Sequence, residues 1–223
     1  MRSIIPAGRI GIIIAYAVIA VLFALRTPAW QAPDEPAHYN YIRQVANGTL
    51  IPVLEEGDWD NNYLEQLKSA RFEPSLLDRL ETIQYEDHQP PLYYLLEAPV
   101  YALTGGSLIA LRLLSVIIGA GVVLCAFGVG KAMLPDRPQI ALGAAAFVAF
   151  LPQHVAVLSA VDNDGLSELF PLSCVGQRCL VAVGGLPEPI PPHAVARVGE
   201  YGESRTETFG LRQPGALGDV AVF

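Results

Sequence analysis

The chain has 223 residues, 52% of them hydrophobic and only 16% charged, with a mean hydropathy of +0.37. Soluble globular proteins carry about 25% charge, so the long uncharged runs point to an integral membrane protein. A formal net charge of −8 argues against nucleic acid as a partner, and Cys125, Cys174 and Cys179 form neither a disulfide framework nor a zinc spacing.

The first apolar run, Ile10 to Leu25, is sixteen residues long and bracketed by Arg9 and Arg26. A membrane helix needs roughly 20 residues, and arginines that snorkel at both ends extend this one to a span over about 10–26. A cleaved signal peptide fits less well, because no small-x-small site follows.

From Thr27 to Pro91 the chain holds twelve acidic residues against Arg43, Lys68, Arg71 and Arg79. Pro36 suits a first helical turn and Asn47-Gly48 a stop, which predicts a helix over 36–46 with Asp34 at its N-terminus. A loop of this length is too structured for a plain connector. Residues 91–103 are apolar but too few to span, so they predict an interfacial helix. Further spans are expected over 113–130 and 140–161, the latter containing Pro152, Gln153 and His154. Pro152 predicts a kink.

Orientation follows from positive charge. Arg2 and Arg9 precede the first span, and Lys131 and Arg137 lie between the second and third. Both flanks belong inside, so loop 27–91 is expected outside a cell membrane, with the N-terminus cytoplasmic. The third span then delivers Asp162, Asn163 and Asp164 to that same outer face. Residues 171–223 hold six prolines and eight glycines and predict an irregular tail, which a shifted reading frame beyond codon 170 explains better than a small domain.

Three clusters could carry chemistry. In Pro33-Asp34-Glu35-Pro36-Ala37-His38, Asp34 and His38 stand four residues apart and can share a helix face. Asp34 is a candidate general base or metal ligand, with Glu35 orienting it or giving a second ligand; the local alternative is an acidic helix start with no chemistry. In His88-Gln89-Pro90-Pro91-Leu92-Tyr93-Tyr94, the tyrosines suit a membrane interface, and His88 could donate to a phosphate, reach the Asp34 region, or be an exposed loop histidine. Asn163 and Asp164 follow the third span as interfacial caps or binding groups. Arg112, just before the second span, is expected to pair with a lipid phosphate or a leaving phosphate. No Walker loop, dinucleotide fingerprint, zinc signature or nucleophile elbow is present in the sequence.

A first span, then Pro33-Asp34-Glu35-Pro36-x-His38, then a long loop ending in His88-x-Pro90-Pro91-Leu92-Tyr93-Tyr94, resembles the N-terminal part of GT-C type membrane glycosyltransferases. That superfamily includes protein O-mannosyltransferases and lipid A aminoarabinose transferases. Asn163-Asp164-Gly165-Leu166 resembles the motif that several such families carry at this place. The resemblance covers about residues 8–170. It implies an all-α polytopic fold and transfer of a sugar from a polyprenyl-phosphate donor to an acceptor hydroxyl on the outer side. It further implies Asp34 and Glu35 as catalytic or metal-site residues, with a divalent cation as cofactor. His38, His88, Tyr93, Arg112, Asn163 and Asp164 would then bind substrate, with lipid-linked sugar and membrane lipids as partners. Such families carry many more spans than this chain does. The rival expectation is a non-catalytic membrane protein, or an inactive truncated product, whose outer loop binds a partner.

Overall fold

A computed structural model describes residues 4–184. The frame-shift expectation for the tail beyond that range lies outside the described residues. Among the described residues all regular structure is helical, in chain order α1 (Ile4–Arg26), α2 (Glu35–Ala46), α3 (Asn61–Ser69), a 3-10 segment (Pro74–Thr82), α4 (Leu92–Thr104), α5 (Leu108–Met133), α6 (Pro138–Phe150), α7 (Pro152–Leu158) and α8 (Asp164–Gly184).

Two helices, Ile5–Arg26 and Leu108–Met133, are long and apolar enough to cross a membrane, and three spans result if α6 and α7 count as one bent crossing. At about 1.5 Å per residue both single helices exceed the ~30 Å hydrocarbon core. The first begins earlier than the expected 10–26 because Pro6 falls in its opening turns, where a missing N–H costs nothing. The second also starts a turn before the expected 113, capped by Ser107, whose Oγ accepts from Ala110 N. On α1, Ile10, Ile14, Val18, Leu22 and Leu25 form an exposed apolar stripe at helical spacing. A surface of this kind suits lipid and suggests a membrane protein.

The third apolar run is broken, not merely kinked. Its two halves, α6 and α7, meet at 68° about Leu151, whose ψ of 112° is extended. The cause is local: Pro152 has no N–H for the Val148 carbonyl four residues back, and it biases Leu151 away from helical geometry. His154 takes over the vacated carbonyl, its Nδ1 3.0 Å from Val148 O, while its Nε2 lies 2.8 Å from Glu168 Oε2 on α8.

Over 171–184 the expected irregular chain is corrected, because α8 continues through Pro171 to Gly184. Leu166, Leu169 and Leu172 pack against the two helical cores, and that burial outweighs the hydrogen bond Pro171 forfeits.

The membrane-side core joins α1, α5, α6 and α7 through Tyr16, Ala20, Val122, Phe127, Ala145 and Leu158. Close approach needs small residues: a Cβ on Gly130 of α5 would stand 2.9 Å from Ala141 Cα on α6. A second core packs α2 on α4, with the Tyr41 and Tyr94 rings stacked 3.6 Å apart. A third, smaller core of Ala37, Tyr63, Leu64, Leu67 and Ile83 makes loop 27–91 an ordered body, as its length suggested.

Candidate functional site

The two acidic residues of the opening motif part company. Glu35, fully buried in the first turn of α2, receives Arg112 Nε at 2.7 Å and Nη2 at 2.6 Å. Arg112 gives its remaining donors to the carbonyls of Ala24, Thr27 and Pro28 at the end of α1. Carbonyls there lack intrahelical partners, so the guanidinium closes that end while it holds α2. Glu35 also accepts from Trp30 N and Val161 N. One ion pair thus ties α1, α2, α5 and the chain before α8. Glu35, expected as a catalytic residue, and Arg112, expected as a phosphate ligand, thus spend their acceptors and donors on each other and on backbone.

Asp34 does the opposite. It stands at the α2 N-terminus with φ 54° and ψ 3°, a left-handed conformation that Asp tolerates better than most non-glycine residues. Its carbonyl starts the helix by accepting from Ala37 N and His38 N, yet its side chain makes no capping bond. The carboxylate swings outward instead and accepts from Tyr85 Oη at 2.7 Å. Burial first, then the Asp34 hydrogen bond and charge, push the Tyr85 hydroxyl above its ordinary pKa. Asp34 lines a cleft of about 490 Å³ with Trp59, Asn61, Lys68, Tyr85 and His88. A neighbouring hollow of about 230 Å³ shares Asp34, Lys68 and Tyr85. His88 is exposed at the cleft, its Nδ1 2.9 Å from Tyr85 O.

His38 does not join Asp34. It is buried, with Nδ1 2.9 Å from Tyr94 Oη and Nε2 3.9 Å from Asp162 Oδ2. Burial raises the Asp162 pKa; the neighbouring His38 and the hydrogen bond from Asp164 N lower it, and the carboxylates of Asp164 and Asp34 raise it again. Tyr93, expected at a wet interface, is buried too: its hydroxyl lies 2.8 Å from Ser115 Oγ and accepts from Asp162 N. Beside them on α4 lies Glu97, fully buried, with neither carboxyl oxygen hydrogen-bonded among the described residues. Burial pushes Glu97 up to about 8, tempered by the nearby hydroxyls of Tyr93 and Ser115, which are largely engaged with each other.

Asn163 and Asp164 open α8. The Asn163 carbonyl accepts from Leu166 N and Ser167 N, its amide donates to Gln89 Oε1, and Asp164 N donates to Asp162 Oδ1. Asn163 lines a second groove, about 300 Å³, with Tyr93, Leu166 and Phe170. Of the expected site residues, the cleft therefore gathers Asp34 and His88 and leaves the others in supporting positions.

Sequence reasoning missed Trp59, Lys68 and Tyr85. Tyr85 lies three residues before His88, and Trp59 stands between two aspartates; nothing in spacing alone brings either to Asp34. A cation held by the Asp34–Glu35 pair does not fit, because both Glu35 oxygens face Arg112. Comparison of the chain with protein-family models, with curated proteins and with solved structures gives no match.

Proposed function

We propose that the protein acts as a membrane glycosyltransferase of the GT-C type, moving a sugar from a polyprenyl-phosphate donor to an acceptor hydroxyl at the outer face. The observation that carries this reading is Asp34: a carboxylate at a helix start that leaves the cap unmade and faces a cleft instead. A residue there only to stabilise a helix would satisfy the helix N–H groups.

In the reaction, an acceptor oxygen attacks the anomeric carbon of the donor sugar. Asp34 takes the hydroxyl proton as that bond forms, and the bond from the anomeric carbon to the phosphate oxygen breaks. The polyprenyl phosphate departs with the bonding electrons, and the configuration inverts. Tyr85 orients the carboxylate by donating to Oδ1, which directs the other oxygen to the acceptor. His88 and Lys68 line the same cleft and supply positive or hydrogen-donating groups toward the departing phosphate. A lipid carrier keeps the leaving group at the membrane surface, so no nucleotide-binding fold is needed. Arg2 and Arg9 at the N-terminal end of α1, with Lys131 and Arg137 about the turn between α5 and α6, support a cytoplasmic N-terminus in a cell membrane and an outer position for the Asp34 cleft.

The test is transfer from a panel of polyprenyl-phosphate sugars by the chain in lipid nanodiscs. Asp34→Asn should lower turnover by roughly 10²–10⁴-fold, with melting unchanged. An active Asp34→Asn variant would overturn the base assignment.

A further inference from the structure

We propose that the cleft beside Asp34 is a carbohydrate subsite in which one sugar ring stacks on Trp59. This deepens the reading above by naming what the cleft binds, and it rests on that reading only for its catalytic meaning.

Trp59 is 66% exposed, although an indole of this size ordinarily buries most of its surface. It does not owe that exposure to a loose loop. Asp58 O accepts from Gln84 N at 3.0 Å, and Asp58 Oδ2 accepts from Glu55 N. On the other side, Asp60 caps α3 through Tyr63 N and pairs with Arg79 at 3.0 Å. The backbone on both flanks is pinned, while the indole lines the cleft and makes no hydrogen bond among the described residues. Tyr85, which holds Asp34, lies 6.2 Å from the Trp59 ring, tilted by 46°.

The wall thus changes from an indole to a tyrosine to a carboxylate, with Asn61, Lys68 and His88 around it. Such a wall matches a pyranose. The axial C–H face of a sugar ring packs on an aromatic face, and its edge presents hydroxyls to amide, carboxylate and ammonium groups. The cleft volume falls in the roughly 300–1,000 Å³ range of small-molecule sites. A membrane anchor fits the same indole less well. Glu55, Glu56, Asp58 and Asp60 crowd its flanks, and four carboxylates oppose an anionic bilayer surface.

Two sources offer this chemistry, a sugar of the acceptor and the sugar of the lipid-linked donor. The full chain in phosphatidylcholine nanodiscs is titrated with free maltotriose in one arm and with farnesyl-phosphate-linked mannose in the other, read by saturation-transfer NMR. Saturable binding is expected in at least one arm. Trp59→Ala should weaken it by about tenfold, and Trp59→Phe should keep it within about threefold. Trp59-dependent binding of maltotriose places the acceptor on the indole; dependence in the mannose arm alone places the donor sugar there. Binding unaffected by Trp59→Ala in a variant of unchanged melting, absence of saturable binding in both arms, or Trp59 contact with lipid alone overturns the proposal. Trp59-dependent binding without transfer would sink the enzyme and leave the subsite standing. Asp34-dependent transfer that ignores Trp59→Ala would do the reverse.

Discussion

Glu35 and Arg112 illustrate how one residue type can belong to structure or to chemistry according to its neighbours. Breaking a buried ion pair by removing one partner costs about 3–5 kcal/mol. Arg112→Ala also strands the carbonyls of Ala24, Thr27 and Pro28, so it should unfold the protein in detergent at markedly lower temperature. Asp34→Asn, at an exposed site, should stay within about 0.5 kcal/mol of the parent. Finding the two variants equally stable would contradict the division of labour. Glu97 gives a pH-dependent counterpart on α4. Its folded pKa is raised from 4.5 to about 8, so the native state binds the proton more tightly than the unfolded chain. Stability from this group is present below the unfolded value and is lost as pH rises through the folded one. Melting curves from pH 4 to 9 should therefore show a decline running from about 4.5 to about 8 that Glu97→Gln flattens, with the variant more stable than the parent near pH 8.

At the scale of elements, the bent α6–α7 pair depends on Pro152 and its rescue by His154. Pro152→Ala restores an N–H that can satisfy Val148 O, the group His154 now caps. The expected result is a straighter, more continuous helix, read as slower amide exchange around Leu151. Unchanged exchange there would mean that packing, not the proline, sets the bend. Straightening should also disturb Asp162, which follows α7 by four residues and meets both His38 and Tyr93 N-terminal to α8. Legibility in sequence was uneven at this scale. The proline at 152 announced a distortion, since it loses a backbone donor wherever it sits inside a helix. Its size was not legible, because the angle depends on what the two halves pack against. Pro171 also lies inside a helix, yet α8 runs through it because half-buried leucines on that helix pack against the cores.

For the whole molecule, two apolar helices and the exposed stripe on α1 suggest a membrane protein, and the placement of arginine and lysine proposes its orientation. Single cysteines test it. With the native cysteines replaced, Ser69→Cys in α3 should react with an impermeant maleimide added outside intact cells, and Asp136→Cys between α5 and α6 should not. The opposite pattern would put the Asp34 cleft on the cytoplasmic side. Asp34 was singled out by its place between two prolines after an apolar run, and the helical content followed from period and punctuation; these are properties of neighbouring residues and are readable along the chain. Which carboxylate faces solvent, and which is locked to Arg112 some seventy-seven positions away, is not. Nor could spacing bring Trp59, Lys68 and Tyr85 to one wall. By itself the sequence determined where helices and polar segments would lie, because hydrophobicity and backbone preference act locally. Only the tertiary structure decided that Asp34 opens onto a cleft while Glu35 closes a core, since burial and ion pairing depend on which distant segments meet.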